Sequence, residues 1–399
     1  MKIYEIGTGY TPIPAQMGAA TEIVVEELTR SLRKNGEDAA IIDMQAGERA
    51  PLDLPLSEVK VPAVFTKTDV SLGLVHKLKR VVYSVCLARY LKKLLKNTSE
   101  QVVLHFHNQY NLFFALKLIP KKWMKKATVA YTVHSYIWHG AWNEIAADIK
   151  RRYFQERYCV QRADMVFVLN ENTKHNLLTH VGVAADRVRL VDNGVNTDVY
   201  YPVSDGEKEN IKTKLKVSGK KVFVQVGSVC PRKGQLEALQ LLLPLLQKDR
   251  DAVFCYAGGL ISEEYQAAIA GCAAANGVQE QVIYAGELKP GADINDVYNV
   301  AQAMVFPSKA EGFSLVIIEA MSAGVPVMIP HTLQFDLADH CLRYEGEEAF
   351  SQRLAAEILN PQAHATLQQE ARRVAVERYS WNAVAADYAA EFHRMVSAH

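Results

Sequence analysis

Pro307-Ser308-Lys309-Ala310-Glu311-Gly312-Phe313-Ser314-Leu315-Val316-Ile317-Ile318-Glu319-Ala320-Met321-Ser322-Ala323-Gly324-Val325-Pro326-Val327 reads as the exit of a short apolar strand, a glycine turn, and a helix opening at about Ser314. The first backbone N–H groups of a helix have no partner within it and carry partial positive charge. Those of Gly312, Phe313, Ser314 and Leu315 therefore suit a diphosphate. Gly312 lets a ligand approach the backbone closely. Glu319 falls more than one turn into the helix and Glu311 sits before it. Carboxylates only accept hydrogen bonds, which makes both good partners for vicinal hydroxyls.

The sequence around this stretch alternates strand and helix. In the first half, strands are expected at Lys2–Ile6, Asp38–Asp43, Val102–His107, Thr128–His134 and Met165–Leu169, with helices around Thr21–Asn35, Leu74–Lys96 and Ile145–Arg162. The pattern restarts with strands at Lys221–Val226, Ala252–Ala257, Gln281–Tyr284, Ala303–Phe306 and Val325–Ile329. Such alternation implies α/β architecture, with parallel sheets covered by helices and ligand groups at the carboxyl ends of the strands. At 399 residues the chain suits two domains. The turn-rich Asp192-Asn193-Gly194-Val195-Asn196-Thr197-Asp198 reads as the linker. The expected limits are residues 1–199, 200–378 and a final helix, 379–399.

A second element, Val224-Gln225-Val226-Gly227-Ser228-Val229-Cys230-Pro231-Arg232-Lys233-Gly234, is a strand entering a loop with two adjacent cations. Two cations beside a phosphate would stabilise negative charge that grows on it in a transition state, and such a pair could replace a metal.

Two glutamates with Gly-Phe after the first and Glu-Ala-Met-x-x-Gly-x-Pro-Val at the second resemble the signature of the family-four retaining glycosyltransferases. The resemblance implies a GT-B fold, with two doubly wound Rossmann-like domains facing a cleft and a C-terminal helix crossing back to the first domain. It implies a nucleotide-sugar co-substrate, with a UDP-sugar expected, and no required cofactor or metal. It assigns Glu311 to the donor sugar, Glu319 to the nucleotide ribose, and Gly227, Arg232 and Lys233 to the phosphates. In many relatives the two cations are separated by one residue, whereas here they are adjacent, and Lys233, which precedes Gly234, is the firmer match. The loop Gly7-Thr8-Gly9 through Gly18-Ala19 resembles the family's glycine loop, with Gly18 toward the diphosphate, although Ala19 stands where a second glycine is usual. His134, ending one strand, matches a histidine that touches the donor sugar or its phosphate. His107, ending another, falls on the acceptor side. Glu156 and Arg157 also match and read as structural.

Asp249-Arg250-Asp251 has a metal-binding spacing but joins a helix to a strand, where a polar turn is expected, so no metal is assigned to it. The balance of 45 Lys and Arg against 44 Asp and Glu excludes bulk-charge nucleic-acid binding. Six scattered cysteines read as thiols of a reducing compartment. No apolar run is long enough to span a membrane and the N-terminus lacks signal-peptide character, so a cytoplasmic location is expected. The basic helix within 76–96 and the cluster Lys121-Lys122-Trp123-Met124-Lys125-Lys126 suit peripheral contact with an anionic membrane, a solvated face being the plainer reading. The expected function is retaining transfer of a sugar to an acceptor hydroxyl, the acceptor being a glycan, a lipid-linked glycan or a small molecule. The rivals are a sugar-nucleotide epimerase of the same fold and a non-catalytic nucleotide-sugar-binding protein.

Overall fold

The computed structural model describes residues 1–14, 20–66, 74–135, 137–138, 140–143, 145, 147, 151, 153–309, 311, 313–333 and 336–397. The chain divides into two compact units: residues 1–194 with 381–399, and residues 195–380. The divisions fall at Gly194/Val195 and Ser380/Trp381, rather than at 199/200 and 378/379. A Cβ on Gly194 would lie 2.3 Å from the Trp381 indole, so the first crossing needs a glycine where the second brings a tryptophan. Val195 N–H donates to the Tyr379 carbonyl at 2.7 Å, and the two crossings run side by side.

The first unit is a seven-stranded parallel sheet of Lys2–Ile6 (β1), Asp38–Met44 (β2), Leu56–Val59 (β3), Val102–Phe106 (β4), Ala127–Val133 (β5), Met165–Val168 (β6) and Val188–Leu190 (β7), in the order β3-β2-β1-β4-β5-β6-β7. Central strands β4 and β5 are buried along their whole length, which is why they read as continuous apolar runs. Helix α1 (Ala20–Lys34) buries Val24, Val25, Leu28 and Leu32, a one-sided stripe, and ends in Arg33 and Lys34, which suit the negative end of its dipole. The final helix, Trp381–Ser397, packs on α1 and buries Trp381, Val384, Ala385, Tyr388 and Phe392.

The second unit is a six-stranded parallel sheet of Lys221–Val226 (β8), Ala252–Ala257 (β9), Val282–Tyr284 (β10), Ala301–Val305 (β11), Val327–Pro330 (β12) and Leu342–Tyr344 (β13), in the order β10-β9-β8-β11-β12-β13. Both sheets are doubly wound. β1 lies between β2 and β4, and β8 between β9 and β11. The winding direction therefore reverses beside β1 and beside β8, leaving a crevice at their carboxyl ends.

β3, β7 and β13 are absent from the sequence reading. All three are short edge strands carrying polar or charged residues such as Glu58, Arg189 and Arg343, so neither length nor alternation marks them. Within the helix expected at Ile145–Arg162, Phe154–Val160 is helical, while residues 146, 148–150 and 152 lie outside the described ones. No helix among the described residues is long and apolar enough to cross a membrane.

Gly258, just past β9, has φ +146°, and a Cβ there would lie 2.1 Å from the Gly227 carbonyl oxygen at the end of β8. Gly258→Ala should destabilise the second unit by about 2–4 kcal/mol, read as a lower urea midpoint for its unfolding transition. An unchanged midpoint would mean the two strand ends have room to separate.

Candidate donor and substrate site

In the second unit the reversal beside β8 brings two loops together. Past β8, Gly227 turns the chain with φ +145°, a conformation that favours glycine. The loop ends at Gly234 (φ +77°), the N-cap of helix Gln235–Lys248, pressed so closely on the end of β11 that a Cβ would lie 2.5 Å from the Pro307 carbonyl oxygen. The buried Gln225 amide donates to the Lys233 carbonyl at 2.6 Å, and Lys309 N–H donates to the Arg232 carbonyl at 2.9 Å.

The result is convergence on one atom. Glu311 Oε1 accepts from Lys233 Nζ at 2.7 Å, from Ser308 Oγ at 2.6 Å and from Arg232 Nη1 at 3.3 Å. The Lys233 and Glu311 side chains are only 13% and 8% exposed, while Arg232 is 53% exposed. Lys233 is thus the fixed cation and Arg232 the one facing solvent.

Helix Leu315–Ser322 begins where the sequence places it, with Ser314 as N-cap. Ser314 does not cap with its side chain: its Oγ is buried without a hydrogen-bond partner among the described residues. The first-turn N–H groups are therefore not capped by it. Phe313 packs its ring 6.3 Å from that of Tyr379, anchoring the turn, while Gly312 lies outside the described residues. One turn after Leu315, Glu319 Oε2 lies 3.3 Å from the Tyr298 hydroxyl, which is also 3.1 Å from the Val316 carbonyl. Burial raises the Glu319 carboxyl to about 7, against the opposing pull of the Tyr298 and Tyr200 hydroxyls.

In the first unit the loop after β1 is held by Tyr83 and Asn111, which donate to the Gly7 carbonyl at 3.2 and 3.0 Å, and by Thr8 donating to the buried Glu22. Gly18 lies outside the described residues. At the ends of β4 and β5 the structure joins the two histidines that the sequence left separate: His107 Nδ1 lies 2.9 Å from His134 Nε2, with the rings stacked 5.2 Å apart. His107 is buried, and its other ring nitrogen lies 2.7 Å from Glu5 Oε2. Both of its ring nitrogens are thus engaged by side chains of the first unit. Glu156 is structural as read: it accepts from Tyr131, Ser135 and Trp138 at 2.9, 2.8 and 3.0 Å and pins the chain that follows His134.

The sequence reading does not reach Glu5, His105, Ser308 or Tyr298. Glu5 had a signal, as a lone carboxylate in the otherwise apolar end of β1; Ser308 and Tyr298 had none. Asp249 and Asp251 pair with Lys221 and Lys220 at 2.8 and 2.9 Å, as turn residues do. Among the described residues, the group close enough to share a cation is Glu5, His105 and His107, and these already hydrogen-bond one another. A cavity of about 550 Å³ beside Tyr201 and Asn295, and another of about 430 Å³ beside Trp142 and His180, are bordered by none of Glu311, Lys233 or Glu319.

Comparison with known proteins gives two family profiles, Glycosyltransferase Family 4 over residues 21–199 and Glycosyl transferases group 1 over residues 207–331. Alpha-maltose-1-phosphate synthase of Mycolicibacterium smegmatis is 28% identical over 261 residues, covering 61% of this chain and 66% of that protein. D-inositol 3-phosphate glycosyltransferase of Corynebacterium glutamicum is 26% identical over 183 residues, covering 43% of this chain and 42% of that protein. The chain thus spans between 42% and 66% of the length of these curated relatives. Among solved structures, sucrose-phosphate synthase from Thermosynechococcus elongatus superposes with a TM-score of 0.75 at 18% identity, covering 100% of both chains. Anabaena HepE in complex with UDP and glucose gives a TM-score of 0.71 at 15% identity, covering 99% of this chain and 100% of that one. With two doubly wound units, the Glu311 to Val327 signature and profiles matching on both sides of the division, this chain belongs to the family-four glycosyltransferases of GT-B fold.

Proposed function

We propose that the protein is a retaining glycosyltransferase that moves a sugar from a nucleotide-sugar donor to an acceptor hydroxyl. The observation that carries this reading is the convergence of Lys233, Arg232 and Ser308 on Glu311 Oε1, beside a helix N-terminus that its serine does not cap. A diphosphate placed there meets two cations and helix N–H groups, Glu319 accepts from the ribose hydroxyls, and the second oxygen of Glu311 accepts from the sugar. As the sugar–phosphate bond breaks, charge grows on the phosphate, and a pre-placed cation stabilises that state more than the ground state. The departing phosphate takes the proton of the acceptor hydroxyl attacking from the same face, so no protein nucleophile is required. Lys233 and Arg232 take the part that a divalent ion plays elsewhere. No observation favours the epimerase or the non-catalytic reading. UDP is the first nucleotide to test, since the similar HepE structure holds it. The printed names of the relatives put phosphorylated sugars and polyols first among acceptors.

Peripheral contact with an anionic membrane belongs to the same proposal. On helix α2 (Leu74–Asn97), Arg89, Lys92, Lys93 and Lys96 are exposed while Leu87, Leu91 and Leu95 are buried, and no acidic residue offsets the basic face.

Three outcomes test this. In a thermal-shift panel of UDP, GDP and ADP without added metal, one nucleotide at about a hundred times its Kd should stabilise the fold by roughly 2.7 kcal/mol, and Glu319→Ala should abolish the shift. If no nucleotide shifts the wild type, the transferase reading loses its support. Because the Glu319 carboxyl sits at about 7 and only its ionised form offers both oxygens as acceptors, affinity for UDP-glucose should rise about tenfold from pH 6 to 8. Glu319→Gln should flatten that rise; a variant that keeps it would place the titrating group elsewhere. Sedimentation with phosphatidylglycerol vesicles should exceed that with phosphatidylcholine and be lost in a Lys92, Lys93 and Lys96 to Glu variant, and equal sedimentation would remove the membrane part alone.

A further inference from the structure

We infer that Glu5 fixes the tautomer of His134, so that His134 presents a bare ring nitrogen to the substrate and takes a hydroxyl rather than a phosphate. Glu5 is in this sense a positioning residue, acting through His107. The inference rests on the glycosyltransferase reading for its chemistry and on the first unit alone for its geometry.

Glu5 lies on β1 in register with His105 on β4, and its carboxylate is fully buried. Glu5 Oε2 lies 2.8 Å from His105 Nδ1 and 2.7 Å from His107 Nε2. Burial alone would raise its carboxyl, but the two histidines outweigh that and bring it down to about 2, so it is ionised and only accepts. Both histidines must then donate to it. Burial holds His107 down to about 4 and His134 well below the usual range, so both rings are neutral and each carries a single N–H.

The direction of every remaining bond follows. The His107 proton is on Nε2, so its Nδ1 must accept, and the donor 2.9 Å away is His134 Nε2–H. The one proton of His134 is thereby committed inward, and Nδ1 keeps only a lone pair. On the other arm His105 Nδ1 donates to Glu5 and its Nε2 lies 2.7 Å from Thr132 Oγ1, which in turn lies 3.3 Å from the Tyr388 hydroxyl of the final helix. Phe167 and Phe392 pack around His105 with ring centroids at 5.6 and 5.4 Å, a setting that offers no competing hydrogen bond. One buried carboxylate thus orders a chain from Tyr388 to His134.

The half-buried His134 ring ends this chain beyond the carboxyl end of β5. A bare nitrogen there attracts a hydroxyl proton and repels phosphate oxygen, which separates two roles that the sequence left open for this residue.

The test is a long-range proton–nitrogen NMR spectrum of the full chain labelled with ¹⁵N-histidine, with His134 assigned from the His134→Gln spectrum. In the wild type, His134 should show a protonated Nε2 and a bare Nδ1, unchanged from pH 6 to 8. A proton on Nδ1, or titration within that range, would overturn the inference without any variant. In Glu5→Gln the amide offers donor hydrogens where the carboxylate only accepts, so the His134 signals should show the second tautomer. Thr132→Val, which cuts only the His105 arm, should leave them in place. If Glu5→Gln folds and His134 is unmoved, Glu5 does not set it. In turnover with UDP-glucose, Glu5→Gln should lower kcat roughly tenfold, about the worth of one hydrogen bond, while the thermal shift given by UDP persists. Loss of kcat and UDP binding together would indicate structural damage and count against the positioning role. Because the spectrum needs no substrate, failure of the transferase reading and failure of this inference are separately visible.

Discussion

In each sheet the first strand of the unit ends up inside the sheet, with later strands added on both sides. The helices leaving its two neighbours then diverge, and the crevice at its carboxyl end cannot be filled by a crossover. Every side chain with an assignable chemical role in this protein sits where that constraint puts it. Gly227 to Gly234 leave β8 and Pro307 to Glu319 follow β11. Gly7 to Pro14 leave β1 and His107 follows β4. The glycines in these loops follow from the same crowding. At Gly234 and Gly258 the adjoining strand ends come within bonded-scale distance of where a Cβ would be, so the backbones meet directly.

Four buried or nearly buried glutamates show how little residue type alone decides. Glu5 lies between His105 and His107, which outweigh its burial and hold it at about 2. Glu22 meets the Thr8 hydroxyl and the backbone N–H groups of Glu22 and Thr11, Glu319 meets tyrosine hydroxyls, and burial carries both to about 7. Glu311 has a lysine, an arginine and a hydroxyl on one oxygen. The first is a permanent acceptor, the second and third can change charge near neutrality, and the fourth is an anion neutralised in place. Burial alone would not sort them; the chemistry of the partners each carboxylate meets does.

The parts legible in the sequence were those in which local pattern and tertiary role coincide. β8 and β9 read with the limits they have, because their buried stretches are mostly apolar and glycine or polar turns bound them. Ser314 read as a helix start because extended backbone before a helical apolar run is a local property. What failed was non-local. Glu5 and His105 lie 100 positions apart and meet only through strand register. A histidine at a strand end, as at His107, looks the same in sequence whether its neighbours are solvent or side chains. The partners that bury it come from two other strands. The edge strands β3, β7 and β13 were missed because an edge needs neither length nor apolar alternation to pair along one side.

The Glu311 cluster carries one further consequence of its burial. A lysine only 13% exposed and lacking an anion would hold a desolvated charge, and the fold would favour a state in which that charge is lost or the loop opens. Glu311 removes that difficulty by pairing with the lysine. Lys233, Ser308 and Arg232 all meet Oε1, Arg232 at the longest of the three distances, 3.3 Å. The second oxygen of Glu311 takes part in none of these three bonds. The adjacency of Arg232 and Lys233, which departs from the spacing of many relatives, gives this loop one exposed cation and one nearly buried cation on a single carboxylate oxygen.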